Sequence, residues 1–173
     1  MSTVEKRFHF RNRAVTRARP HAFLKIALVA SALLTVSVFA ETAPRAESLI
    51  KWRQSAYQVI AWNSGRIKAA LSGQYAAEDV QSAANALAAV ANSGLATLFA
   101  PGTADGKGWR ETTAREEVFS DAAKFRALTE EFAREASTLA RIAAASDRAT
   151  VNEQFLKVAQ ACKSCHNQFR QTD

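Results

Sequence analysis

Apolar side chains recur every three or four residues along most of this chain, and the strict alternation typical of β-strands is missing. A repeat of this length places the apolar side chains on one face of an α-helix. The pattern predicts four amphipathic helices, at about residues 46–72, 77–99, 115–145 and 149–171. Gly73 and the pair Pro101-Gly102 are suitable stops for the first two helices. The stretch 100–112, rich in Gly, Thr and Asp, is predicted to form a loop.

The apolar stripes of the third and fourth predicted helices are the most regular. The third has a heptad-like seam, formed by Val118, Phe125, Phe132 and Leu139. The fourth has a stripe formed by Val151, Phe155, Val158, Cys162, Cys165 and Phe169. Both cysteines of the chain are therefore expected to face the core. Four helices joined by short connections predict an all-α fold, an antiparallel four-helix bundle.

The N-terminal 40 residues have a different pattern. Several Lys and Arg residues precede an apolar run from Ile26 to Phe39, and Val38-Phe39-Ala40 offers small residues where a signal peptidase cleaves. We interpret residues 1–40 as a cleavable secretory signal that directs the chain to the periplasm, and residues 41–173 as the bundle. A permanent membrane anchor is the alternative, but the run is shorter than the roughly 20 residues that span a bilayer. The chain lacks the adjacent arginine pair of the twin-Arg route.

This segment also carries most of the excess positive charge. The whole chain has 23 Lys and Arg against 16 Asp and Glu, a formal net charge of +7. Seven of the basic residues lie before residue 41, whereas Glu5 is the only acidic residue there. The remaining chain is close to neutral. It therefore gives no support to nucleic-acid binding, which requires a basic patch on the folded domain.

The candidate cofactor-binding residues of the chain lie in the motif Cys162-Lys163-Ser164-Cys165-His166. Cys-x-x-Cys-His is the attachment signature of c-type haem. Residues three and four apart share a face of a helix, so both thiols can reach the two vinyl groups along one porphyrin edge. His166 can then ligate the iron. The motif predicts one covalently bound haem c, held by two thioethers in the bundle interior.

Three other interpretations of this motif are weaker. A structural zinc site needs four Cys or His ligands, and only these three follow residue 41, because His9 and His21 belong to the predicted signal. A thioredoxin-type redox pair belongs in a βαβ context, which the pattern does not show. A disulfide between Cys162 and Cys165 suits helical geometry poorly.

The inventory of possible iron ligands is short. Electron-transfer cytochromes usually add Met or a second His as the sixth ligand. Met1 is the only methionine, and beyond residue 40 the only histidine is His166. We therefore expect five-coordinate iron with an open distal face that binds small gases such as NO and CO. Lysine or the new N-terminal amine are the remaining candidates for a sixth ligand.

With these motifs in view, the chain resembles the cytochrome c′ family, the class II c-type cytochromes. The resemblance spans essentially all of 41–173 and is carried by residues 53–57 and 62–69, by 91–94 with 102–103, and by 161–166 with 169–170. A haem motif at the C-terminus of a helical chain is typical of this class. The resemblance implies a left-twisted four-helix bundle, a homodimer and His166 as the proximal ligand.

The resemblance also assigns residues around the cofactor. Low-spin relatives of the c556 type carry a methionine ligand where Tyr57 stands here, which favours five-coordinate iron. Tyr57 would then lie at the distal face and control access, or be an ordinary core aromatic. Arg170, one turn after His166, would lie on the proximal side, or be a solvated cation at a helix end. Arg53 would pair with a haem propionate, or lie on the surface. Phe169 would contact the cofactor.

Two functions follow as hypotheses. The first is a periplasmic haem protein that binds NO or CO and also transfers single electrons to a partner that the sequence does not identify. The alternative is a dedicated low-spin c556-type electron carrier with an unusual sixth ligand. We do not expect an enzyme, because no distal His or general-acid pattern is present. Trp52, Trp62, Phe125 and Phe132 are assigned to the core or to an interface rather than to the cofactor.

Overall fold

Long helices account for most of the computed structural model, which describes residues 44–145 and 147–171. The predicted signal, residues 1–40, lies outside the described residues. The helices are α1 (Ala46–Ser72), α2 (Ala77–Ala91), α3 (Glu117–Ser120), α4 (Ala122–Ala143) and α5 (Arg148–Phe169), with a 3₁₀ turn at Leu95–Leu98. Within these ranges no helix is both long and apolar enough to cross a membrane.

The four long helices form the predicted four-helix bundle. Helix α1 packs on α2, α2 on α4, and α4 on α5. The short connections α1–α2 and α4–α5 make these pairs antiparallel. The guanidinium of Arg148, at the start of α5, donates to the carbonyl oxygen of Leu71 near the end of α1, which ties the first helix to the last.

The bundle core consists of the apolar side chains that the sequence pattern places on the inner faces of the helices. Its members lie 9% exposed or less, and they include Ile60, Ile67, Leu87, Phe132, Leu139, Val151 and Val158. A second, smaller cluster lies towards the C-terminal end of α5, where Val118 and Phe125 pack against Phe169. The two clusters lie on either side of the position where α5 carries its cysteines.

The second predicted helix is eight residues too long. Helix α2 ends at Ala91 rather than at Phe99. Asn92 donates its side-chain amide to the carbonyl oxygen of Ala88 at 2.7 Å, and Gly94 takes a left-handed conformation with φ +83°. Glycine adopts this conformation without the steric penalty of a Cβ atom. The chain therefore turns at Gly94 and continues as the 3₁₀ turn.

The third predicted helix is interrupted near its start. Residues 117–120 form the short helix α3, and Asp121 leaves the helical region at φ −118° and ψ 51°. The Asp121 carboxylate then accepts from the backbone N–H of Lys124 at 3.4 Å, which caps α4. The heptad-like spacing continues across this break, because Val118 and Phe125, seven residues apart, are both buried. The spacing therefore predicts one helix where the structure has two.

A long crossover connects α2 to α4, and we call its residues 92–116 the crossover loop. It packs over the N-terminal half of α1, where a Cβ atom at Gly108 would lie only 2.7 Å from the Gln54 side chain and 2.8 Å from the Lys51 backbone nitrogen. Its end pairs with the end of α5 through the bridge between Ala114 and Arg170. The loop therefore joins the first and last helices at one end of the bundle.

Candidate functional site

The two cysteines lie on the inner side of α5, as the stripe predicts. Both thiols are partly buried and free. Cys162 packs against the main core cluster, and Cys165 packs against the smaller cluster that contains Phe125 and Phe169. Their i, i+3 spacing on a continuous helix directs both sulfur atoms to the same side.

A cavity of about 720 Å³ opens beside these thiols. Its walls come from α1, the end of α2, the crossover loop with its 3₁₀ turn, α4 and α5. All seven residues that the sequence assigns to the cofactor line it, namely Arg53, Tyr57, Cys162, Cys165, His166, Phe169 and Arg170. The volume lies within the roughly 300–1,000 Å³ of small-molecule and cofactor sites.

Burial affects the protonation of the groups on α5. It raises the pKa of the Cys162 thiol, and it raises that of Cys165 to about 11, with a smaller contribution from Cys162. Both thiols are therefore protonated near neutral pH. His166 lies at the mouth of the cavity, where partial burial and then the charge of Arg170 lower its pKa. A lowered pKa favours the neutral imidazole, the form that ligates metals.

Aromatic rings form one wall of the cavity. The rings of Tyr57 and Phe99 lie 6.4 Å apart, those of Phe99 and Phe125 4.8 Å, and those of Phe125 and Phe169 5.3 Å. All three pairs have the edge-to-face arrangement that aromatic side chains prefer. Burial in these surroundings raises the pKa of Tyr57 well above its ordinary value, so its hydroxyl stays protonated.

Arg53 is buried, with 3% of its surface exposed, so the alternative that placed it on the surface is wrong. Its guanidinium donates to Thr103 Oγ1 at 2.8 Å, to the Thr103 carbonyl oxygen and to Thr112 Oγ1 at 2.5 Å. It also lies 4.7 Å from the centre of the Phe99 ring. Arg53 thus anchors the crossover loop to α1 at the edge of the cavity. Its pairing with a propionate stays a prediction.

The two residues at the end of α5 differ in environment. Phe169 is 4% exposed and belongs to the smaller core cluster. Arg170 is exposed, and its backbone N–H donates to the carbonyl oxygen of His166 at 3.1 Å. After burial, the positive charge of Arg170 is the second cause that lowers the pKa of His166.

Several cavity residues were not identified from the sequence. Phe125 and Phe132, which are assigned above to the core or to an interface rather than to the cofactor, line the cavity on α4. Leu128 of α4 and Leu95 and Phe99 after α2 line it as well. The heptad seam marks Phe125 and Phe132 as buried, but periodicity does not distinguish the packed core from a cavity wall. Phe99 was assigned to a helix, whereas the structure places it after the 3₁₀ turn.

The other interpretations of the motif find no support in residues 44–145 and 147–171. No group of three or more His, Cys, Asp or Glu side chains there could hold a metal ion. The same ranges contain two isolated β-bridges but no β-strand, so a βαβ context is absent from them. By contrast, a large cavity with an apolar aromatic wall, two thiols on one side and an imidazole at its mouth fits a flat apolar cofactor attached through vinyl groups.

Comparison with known proteins agrees with this geometry. The family model for cytochrome c′ matches residues 48–170. The cytochrome c′ of Rhodocyclus tenuis is 50% identical over 130 residues, which cover 75% of this chain and 98% of that protein.

Two solved structures are similar over most of the chain. One is a cytochrome c′ with an unusual ligand-controlled dimer dissociation, at a TM-score of 0.72 and 39% identity, covering 76% of this chain and all of that one. The other is the nitric oxide complex of a point variant of cytochrome c′ from Alcaligenes xylosoxidans, at a TM-score of 0.67 and 29% identity, covering 76% and 99%.

The fold and the site define a helical c-type haem protein, with the attachment motif at the end of the last helix of a four-helix bundle. The chain belongs to the cytochrome c′ family. Members of this family bind haem c, and the two cysteines of this chain, Cys162 and Cys165, are consistent with its covalent attachment. His166 as the iron ligand stays a prediction. Members of this family are also periplasmic.

Proposed function

We propose that this chain is a periplasmic haem protein that binds NO or CO at an open axial position and also carries single electrons. The observation that carries the proposal is the chemistry of the cavity wall. The described residues that line the cavity include His166 but no other His, no Met and no Lys. Haem attached here, with His166 as its iron ligand, would supply both a site for a diatomic gas and a one-electron couple.

The described side chains that line the cavity would offer His166 as an iron ligand and no second strong ligand. Tyr57 comes from α1, whereas His166 comes from α5, and both line the cavity. The protonated Tyr57 phenol is a poor iron ligand, and its ring fills space beside Phe99. A small apolar gas can enter such surroundings, whereas larger polar ligands lose their hydration there without gaining partners. The nitric oxide complex of a point variant of a family member supports gas binding by this chain.

The alternative, a low-spin carrier with lysine as the sixth ligand, is less well supported. The described residues lining the cavity include no lysine, and the only carboxylate among them is that of Glu130. We propose binding rather than catalysis, because turnover with proton transfer normally requires a general acid or base within reach, and the Glu130 carboxylate is exposed to solvent.

The cellular setting and assembly form part of the proposal. The basic and apolar pattern of residues 1–40 supports export, after which residues 41–173 would remain in the periplasm. A homodimer is proposed because a similar solved protein is a cytochrome c′ whose dimer dissociates under ligand control. The redox partner of this chain is not assigned.

The proposal is tested by replacing Tyr57 in the holoprotein. Tyr57→Met supplies the thioether sulfur that the wall otherwise lacks, so the reduced variant should show the sharp, strong alpha band of six-coordinate haem. Its affinity for CO should fall at least about tenfold, because CO must displace the sulfur. Optical titration with CO measures both effects.

Tyr57→Leu is the matched control, because leucine has a similar length but no ligand atom. It should keep the five-coordinate spectrum and bind CO at least as tightly as the wild type does. If the wild-type protein itself fails to bind CO or NO, the proposed function is wrong. If Tyr57→Met leaves the spectrum unchanged, Tyr57 does not border the open position.

A further inference from the structure

His166 lies close to the end of its helix, where backbone hydrogen bonding is normally weakest. Helix α5 ends at Phe169, three residues beyond the predicted iron ligand. The last four carbonyl groups of an α-helix have no partner within the helix, and such ends fray readily. The last turn of α5 therefore needs a partner outside the helix if it is to hold an imidazole in one orientation.

The end of the crossover loop provides this partner. The backbone N–H of Arg115 donates to the carbonyl oxygen of Phe169 at 3.0 Å, and the backbone N–H of Gln171 donates to that of Thr113 at 2.8 Å. These two bonds flank the antiparallel bridge that joins the loop to the end of α5. They hold the chain directly after the turn that carries His166.

We call residues 113–115 and 169–171 together the C-terminal clamp. Apolar packing supports it on the inner side, because Phe169 is buried and packs against Val118 and Phe125. The end of α5 is thus held by backbone hydrogen bonds and by a buried side chain. Since none of these contacts is made by the imidazole, the clamp acts on the predicted ligand only through the backbone of α5.

The loop side of the C-terminal clamp is itself fixed. The backbone N–H of Ala114 donates to Thr112 Oγ1 at 3.2 Å, and the same oxygen accepts from the buried guanidinium of Arg53 at 2.5 Å. On the other side, the Arg115 guanidinium lies 2.6 Å from a Glu117 carboxylate oxygen. The clamp therefore has a base anchored to α1 at one end and to the start of α3 at the other.

We propose that the C-terminal clamp positions the iron ligand: it holds the last turn of α5 so that the imidazole of His166 keeps one orientation towards a haem in the cavity. Contacts beyond a metal's own ligands commonly orient these ligands and tune the metal. This inference rests on the proposed role of His166 as the iron ligand and names the contact that orients it. The crossover loop then has two roles, since it also forms a wall of the cavity.

Gln171→Pro in the reduced holoprotein tests the proposal, because proline has no backbone N–H and the bond to Thr113 is lost. Arg170, the preceding residue, already has the extended backbone that suits a following proline, at φ −117° and ψ 134°. Gln171→Ala is the matched control, because it keeps the backbone donor and loses only the side-chain bond to the Ala114 carbonyl oxygen at 3.5 Å.

Resonance Raman spectroscopy of the iron–histidine stretch is the first measurement. We expect the same band in the wild type and in Gln171→Ala. In Gln171→Pro the band should be broader and shifted to lower frequency, because an imidazole on a loosened turn binds less uniformly. Hydrogen exchange is the second measurement, and the backbone amides of residues 166–170 should exchange about fivefold faster in Gln171→Pro, since the variant lacks one backbone hydrogen bond.

Two results would overturn the inference. An iron–histidine band that is identical in all three proteins, with exchange accelerated in Gln171→Pro, would make the clamp a structural contact only. Unchanged exchange in that variant would show that the clamp does not hold the turn. A wild-type protein without an iron–histidine band would instead contradict His166 as the ligand, and with it the proposed function. Thermal unfolding of the same samples should show similar midpoints, which separates loosening of one turn from loss of the fold.

Discussion

At the scale of single residues, the attachment motif was predictable because its chemistry depends on local spacing. Cys162, Cys165 and His166 are brought together by one helix, and helical geometry follows from the sequence. Arg53 is the opposite case. Its acceptors lie 50 and 59 residues further along the chain, and no local pattern indicates that the crossover loop returns to α1. Its burial therefore emerged only from the structure.

The hydrogen bonds of Arg53 lead to a prediction about stability. Arg53→Met should lower the free energy of unfolding of the holoprotein by about 1–3 kcal/mol, because the variant loses charge-assisted hydrogen bonds and leaves Thr103 and Thr112 without their donor. Urea denaturation followed by circular dichroism measures the change.

Arg134→Met is the control for this measurement. The Arg134 side chain is 65% exposed, and its Nε lies 3.8 Å from a Glu135 carboxylate oxygen. Exposed pairs of this kind contribute little, so the control should change stability by less than about 0.5 kcal/mol. If the two variants were equally stable, Arg53 would not anchor the loop.

At the scale of elements, the existence of the four long helices followed from apolar periodicity, but two of their ends did not. Leu95 continues the stripe of α2 and is 3% exposed, so periodicity extends the helix through a segment that is no longer α-helical. The turn at Gly94 is set by backbone conformation rather than by side-chain polarity. Patterns of hydrophobicity do not detect such a change.

Two glycines therefore predict opposite effects when each is replaced by alanine. Gly94→Ala should destabilise the protein by about 1–2 kcal/mol, since φ +83° is strained for any residue with a Cβ atom. Gly65→Ala should stabilise it by about 0.5–1 kcal/mol, because Gly65 lies within α1 and a Cβ atom there meets nothing within 4 Å. Thermal unfolding of both variants measures the difference, and a shared sign would contradict the assigned end of α2.

At the scale of the whole molecule, the cavity is the feature that is hardest to predict from the sequence. Five separate segments line it, from residue 53 on α1 to residue 170 at the end of α5. Their convergence depends on how the helices of the bundle pack together and on where the crossover loop crosses α1. The seven residues assigned from the motif and the family resemblance do line the cavity, whereas the aromatic wall around Phe99 required the fold.

The central claim is that the haem cavity provides one strong axial ligand, His166, and leaves the opposite position open. The optical spectrum of the reduced holoprotein, recorded before and after addition of CO, tests it most directly. The account predicts a weak, broad alpha band that changes markedly when CO binds. A sharp, strong alpha band that CO leaves unchanged would contradict it, because that spectrum requires a second strong ligand on the iron.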